Sequence, residues 1–355
     1  MKSKFIISAM LSLIVSLFCG VGIAAAVGAP ALPFVGGLFV ASFIPMPQMG
    51  GIAMETFYRQ VWEKEAIKSV DDAMKDTFLD DIPDNSKYVT GDEEMQTINS
   101  LYFDVEPDVL INNTTYPIPL QELNGTPVAL TLDKYQTKVT PVTDDELYAL
   151  AWDKIKEVNT SHSNSIIKNR LKKAAHALAP AANAAKTPVL ATTGEVTKDG
   201  TRKRLTWEDV VALREAWTNA EMSLDDLRLI LCSDHVNDLL LADTAFKKAY
   251  TNFSGGVILN QLGFEIREYS ANPFFDATAL TKVSFGAVPG TNARRASVCF
   301  NKRLARKANG KMFIYKSEAK SDPQNQRNLI AYKNHFICLP SVQREIGAIV
   351  SALGS

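Results

Sequence analysis

Catalysis needs side chains that can move protons, attack an electrophile or hold a metal, and this sequence places few of them in a workable arrangement. The four histidines, His162, His176, His235 and His335, are isolated, and none belongs to an HExxH or other metal-ligand spacing. Ser233-Asp234-His235 holds the residue types of a hydrolytic triad. Adjacency in sequence does not supply triad geometry, however, and no GxSxG elbow is present, so Ser233 or Asp234 reads as a helix cap. Asn309-Gly310-Lys311 lacks the glycine and hydroxyl residues of a phosphate loop, and no GxGxxG follows a strand. Cys19, Cys232, Cys299 and Cys338 are far apart, without CxxC spacing. Three of them sit in apolar, strand-like contexts and read as buried reduced thiols, as in a cytosolic protein. No enzyme activity, metal, cofactor or small-molecule substrate is expected.

The charges point to surfaces instead. The composition is that of an ordinary globular protein, 46% apolar and 22% charged with a net charge of -1, but the charge is unevenly spread. Residues 71 to 108 carry twelve acidic and two basic side chains, whereas 277 to 317 carry nine basic and no acidic ones. Such polarity suits contacts with other molecules or with further copies of the chain, and two solvated faces would produce the same count. The basic candidates are Arg294, Arg295, Lys302, Arg303, Arg306, Lys307 and Lys311, with only Phe300 nearby to stack a base. The acidic candidates are Asp92, Glu93, Glu94, Asp104, Glu106 and Asp108.

The element that must organise these surfaces is helical, from Thr143 to Pro180. Thr143 and Glu146 form a capping-box pattern, with Asp144 and Asp145 complementing the helix dipole. Asn159-Thr160-Ser161 predicts a break, followed by a second helix of roughly 19 residues, about 28 Å long. Its buried stripe is Ile167, Leu171, Ala174 or Ala175, and Leu178, with Lys168, Arg170, Lys172 and Lys173 on the remaining arc. Upstream, Glu55 to Leu79 has helical spacing. Residues 80 to 127 are polar and β-prone, and predict an exposed strand excursion with turns at Asn112-Asn113 and Asn124-Gly125. Such a hairpin has too little apolar content to form a core and must lie on something else. Residues 181 to 204 read as a mobile loop. Thr206 to Asp209 cap a further helix, and strands are expected at Leu227 to Cys232, Lys282 to Val288, Ala296 to Phe300, Lys311 to Tyr315 and Leu329 to Leu339, giving an α+β core.

The amino-terminal residues pose a separate question. Lys2 and Lys4 precede an apolar run, Phe5 to Cys19, and Ala24-Ala25-Ala26 offers a cleavage site, as in a secretory signal. The uncharged region nevertheless continues to Met54, past four prolines. Maturation or translation beginning near Met49 or Met54 and true membrane association are competing readings.

The serial order of these parts resembles the major capsid proteins of tailed bacteriophages. The resemblance runs from about residue 55 to the C-terminus, through the return strand LTLDKY, the spine helix, LRLILCSDHVNDLL, GGVILNQLGFEIREY, NARRASVCF and NLIAYKNHFICLP. The hydrophobic leader is similar to those of capsid-like genes in Bacteroidetes phages and prophages. The resemblance implies the Hong Kong 97-type α+β fold. Residues 1–54 would be a leader, 55–89 an N-arm, 90–135 an extended loop and 136–204 a peripheral domain with the spine helix and a return strand near 325–345. Residues 205–324 would form an axial domain and 346–355 a C-terminal segment. It implies a virion shell assembled in the host cytoplasm from pentamers and hexamers around double-stranded DNA, with scaffold, portal and maturation protease as further partners. An exported or membrane-anchored envelope binding protein is the alternative class.

Overall fold

The structure, a computed structural model, describes residues 77–102, 109–118, 120–121, 126–251, 257–317, 324 and 327–354. They belong to the larger of two units, Glu63–Ser355. In chain order the strands are β1 (Val89–Gly91), β2 (Gln96–Tyr102), β3 (Thr126–Thr131), β4 (Asp133–Gln136) and β5 (Thr140–Thr143), followed by the helix α1 (Asp144–Ala177). Next come β6 (Val189–Ala191), α2 (Trp207–Asn219), β7 (Leu227–Leu231), α3 (Ser233–Ala242) and α4 (Thr244–Thr251). The chain closes with β8 (Leu259–Gln261), β9 (Phe264–Glu268), β10 (Phe274–Asp276), β11 (Thr281–Lys282), β12 (Ala293–Asn301), β13 (Ala305–Ser317), β14 (Arg327–Pro340) and β15 (Ile346–Val350).

Strands buried on both faces read as continuous apolar runs, and two such runs centre the largest sheet. Every residue of β7 and β15 is buried. β12 joins them, antiparallel to β7 at Val298↔Ile230 and to β15 at Val298↔Ala348, while its first residues pair with β10. Parallel partners lie further out, β9 beside β7 and β6 beside β15. On one face Leu229 and Cys299 pack with Leu213, Trp217, Leu239 and Phe246; on the other Val298 and Ala348 pack with Phe275 and Val189. Gly347 permits this approach, since a Cβ there would lie 2.7 Å from the Trp217 ring. A second sheet pairs β13, β14 and β4, with β5 also on β14, and a third is the antiparallel set β1-β2-β3.

The long helix departs from the expected pair, because α1 runs 34 residues without a break, about 51 Å at 1.5 Å per residue. Asn159 does not cap a second helix; its Oδ1 accepts the Tyr332 hydroxyl at 2.6 Å and ties α1 to β14. Ile167, Ala174, Ala175 and Leu178 are buried as expected, but Leu171 is only partly covered. Arg170, assigned by pattern to the solvent arc, is buried instead. Its guanidinium lies 4.0 Å over the Phe336 ring and donates to Asn309 Oδ1, so the cation replaces leucine at the centre of the packed face.

Three further expectations are corrected. Residues 181 to 204 are tied down, since β6 pairs with β15, Val196 bridges Lys203, and the Arg202 guanidinium meets Asp238 at 2.5 Å. The strand expected over Lys282 to Val288 stops at Lys282, whose Nζ donates to the carbonyls of His176 and Ala179 at the end of α1. Gly286 then turns the chain with φ +83°. Neither Ser233 nor Asp234 caps α3; the cap position is Cys232, without a side-chain bond. The capping box at Thr206 is present as read, with Asp209 accepting the Thr206 N–H at 2.9 Å.

Candidate functional site

The residues that suggested chemistry are structural where the chain places them. His235 is buried, with Nδ1 2.6 Å from Ser297 Oγ and Nε2 2.9 Å from Ser351 Oγ. Burial lowers its pKa to about 4, with Arg202 adding to the effect and Asp238 and Asp209 opposing it. Such an imidazole stays neutral and has no route to a substrate. His162 packs against Tyr332, His176 meets the Val283 carbonyl, and His335 is edge-on to Phe313. Cys232, Cys299 and Cys338 are free and buried, with burial pushing the Cys232 thiol up to about 11. Among the described residues no group of three or more His, Cys, Asp or Glu is placed to hold a metal ion.

The basic series is mostly occupied within its own chain. Arg295 stacks 4.6 Å over Phe274 and donates to Asn272 O, and Arg294 donates to the carbonyls of Thr291 and Thr201. Lys302 pairs with Glu265 at 2.9 Å and Arg303 with Asp226 at 2.5 Å. Arg306 donates to the Ala305 carbonyl, and Lys307 reaches Leu79 O at 2.9 Å. Lys311 is exposed on β13. Six of the seven thus have a partner within the chain.

Lys307, together with Arg228 and Arg267 from outside the series, anchors the segment preceding β1. Phe78, Leu79 and Ile82 are buried, and four successive carbonyls face cations. Arg267 donates to Thr77 O, Arg228 to Phe78 O and Asp80 O, and Lys307 to Leu79 O, at 2.5 to 2.9 Å. Glu265 completes the cluster at 2.7 Å from Arg228 and 2.6 Å from Arg267. Burial raises its pKa, but Arg228, Lys302 and Arg267 overcome this and hold it near 2. The sequence signal was the single arginine in the otherwise apolar run LRLIL.

The excursion begins on firm ground and then leaves it. Ile98 and Leu132 pack on Ala308 of β13, so the β1-β2-β3 sheet is rooted there. Beyond it Val109, Ile111 and Leu120 are 80%, 84% and 99% exposed, and Tyr116 and Ile118 also face solvent. The observed turn lies at Ile111-Asn112, with Asn112 at φ +53°; the turn expected at Asn124-Gly125 lies outside the described residues. Asp92, Glu93 and Glu94 are exposed between β1 and β2, while Asp104, Glu106 and Asp108 lie outside the described residues.

This combination, a long helix against a strand-rich sheet, a second sheet centred on β12 and an outlying excursion, was compared with solved structures. The capsid of cyanophage P-SCSP1u matches with a TM-score of 0.52 and 12% identity, covering 79% of this chain and 88% of that one. The capsid of Ralstonia phage GP4 gives 0.52 and 9%, covering 79% and 89%. The cyanophage Pam1 capsid gives 0.50 and 13%, covering 78% and 90%. The chain has the Hong Kong 97-type capsid fold. No protein-family profile and no curated sequence matches it, so the likeness rests on three-dimensional arrangement.

Proposed function

We propose that this protein is a major capsid protein, a non-enzymatic shell subunit that assembles through pentamers and hexamers into an icosahedral shell around double-stranded DNA. The observation that carries this reading is the apolar excursion on a capsid fold. Side chains such as Val109, Ile111 and Leu120 stand in water in the isolated chain, and an exposed apolar run of this kind marks a contact with another molecule. A second copy supplies the cover when subunits are arranged with rotational symmetry, and repetition makes individually modest contacts sum to a closed shell. The proposed divisions are a leader (1–54), N-arm (55–89), extended loop (90–135), peripheral domain (136–204) and axial domain (205–324). β13, although inside the last of these ranges, is drawn with β14 to the peripheral sheet and β15 to the axial one, as their pairing favours.

The same reading takes scaffold, portal and maturation protease as assembly partners, and a Bacteroidetes phage or prophage as the source. It places assembly in the host cytoplasm. Contacts of Asp92, Glu93 and Glu94 with Arg303, Arg306 or Lys307 of a neighbouring copy are part of it, tested by reversing each set singly and together. Among the described residues no helix is long and apolar enough to cross a membrane. Negative-stain microscopy of the purified protein tests the proposal directly, with closed shells of uniform diameter as the expected result. Unassembled protein in the membrane fraction, with residues 1–54 retained, would instead support an envelope binding protein.

A further inference from the structure

The cations left over from internal pairing gather at a place the sequence did not single out. A groove of about 660 Å³ runs between α1 and the edge formed by β4 and residues 137–140, and Phe285 also lines it. One wall carries Lys134 and Lys138, both exposed, and the other Lys173. The lining includes one carboxylate, Asp133, and Lys173 holds it at 2.6 Å. Lys134 and Lys138 have no carboxylate within ion-pair distance among the described residues.

The helix extends this field. From Val158 to Gly194 the sequence contains no acidic residue. Ser161, Ser165, Lys168 and Lys172 are all exposed and recur at i, i+4, i+7 and i+11, so they share one stripe of the helix; Ser161 and Ser165 line the groove, and Lys168 and Lys172 continue the stripe beyond its lining. Asn169 lies beside that stripe on the groove wall. Lysines for charge, with hydroxyls and an amide for neutral donors, are the set that contacts phosphate oxygens without reading bases. Of the aromatic rings lining the groove, Phe285 meets His176 edge-on at 5.4 Å and lies 5.8 Å from the Lys173 ammonium, His162 is buried against Tyr332, and Tyr135 is half-buried. The groove thus presents no row of open rings for bases to stack on, and contact here is independent of sequence.

We propose that this groove between α1 and β4 holds the phosphodiester backbone of nucleic acid, with Lys134 and Lys138 as its cationic contacts and with Lys168 and Lys172 extending the contact along α1 beyond the lining. The inference rests on the shell reading for the identity of the polyanion, double-stranded DNA. It moves the genome-facing surface away from the basic series at 294 to 311.

The test uses the full-length chain and a 30-base-pair DNA duplex. Binding is measured from low to moderate salt for the wild type, for Lys134→Gln/Lys138→Gln, and for a variant carrying those two changes with Lys168→Gln and Lys172→Gln. Each phosphate contact contributes about 0.9 to the slope of log affinity against log salt. The quadruple variant is therefore expected to flatten the slope by about 3 to 4 and the double variant by about half of that, with melting temperatures unchanged. Equal slopes for all three proteins would overturn the proposal. So would loss of shell assembly by the variants with DNA binding intact, a result that makes the occupant an acidic segment of a neighbouring copy. Micrographs of the same samples separate the two levels: wild-type chains that bind DNA through the groove but form no shells would remove the shell reading alone.

Discussion

Replacing Arg228 by methionine should release the segment before β1 from the rest of the chain. The guanidinium is fully buried, makes two bonds to the carbonyls of Phe78 and Asp80, and reaches Glu265 at 2.7 Å. Hydrogen bonds involving a charged group contribute about 1.5 to 3 kcal/mol each. The desolvation cost that arginine no longer bears offsets part of the loss. Glu265 keeps Lys302 and Arg267, at 2.9 and 2.6 Å, so its carboxylate is not abandoned. The balance is a loss of about 3 to 5 kcal/mol, the range for removing one member of a buried ionic cluster. In urea this lowers the unfolding midpoint of the isolated chain by about 1 M or more. Limited proteolysis should open first between Thr77 and Pro83. A midpoint within about 0.3 M of the wild type, or unchanged protection of that segment, would refute the anchoring role.

On α1, Ala175→Asp should abolish soluble expression, because the position is fully buried and an unpaired carboxylate costs several kcal/mol there. Leu171→Asp should be milder, since Leu171 is only partly covered; thermal melts of the two rank them. Gly347→Ala should lower stability by about 1 to 3 kcal/mol through overpacking against Trp217, read by urea denaturation. His235 sets a pH dependence. Its folded pKa of about 4 lies below the unfolded value of about 6.5, so the unfolded chain binds the proton first as pH falls. Stability due to this residue is complete above about pH 6.5, declines toward pH 4 and has then fallen by about 3 kcal/mol. His235→Asn should remove that slope from melts recorded between pH 7 and 4.

Local signals carried much of this architecture. The capping box at Thr206, the apolar run of β7, the buried stripe at Ile167, Ala174, Ala175 and Leu178, and the exposed excursion were legible because neighbours in sequence determine them. Four features were not. β6 looked like loop because its partner, β15, lies far along the chain, and pairing between distant strands leaves no periodicity in either. Arg170 looked solvated because a helical arc of Lys and Arg usually is, and the aromatic face of Phe336 that receives it comes from β14, distant in sequence. The basic series looked like a surface patch, yet several of its partners are carbonyls such as those of Asn272, Thr201 and Leu79 and carboxylates at Asp226 and Glu265, invisible to a count of charge. The groove at Lys134 and Lys138 arises only when β4 is laid beside α1.

The pairing of β15 with β6 and β12 also sets a timetable for synthesis. β6 leaves the ribosome roughly 150 residues before the strand that must lie beside it, and contacts so far apart form late. Until residues 346–350 arrive, Val189, Ala296 and Val298 lack one of their covering layers. A nascent chain therefore cannot close this sheet early, and one interrupted before Ile346 never does. Completion of translation is thus a precondition for the closed sheet.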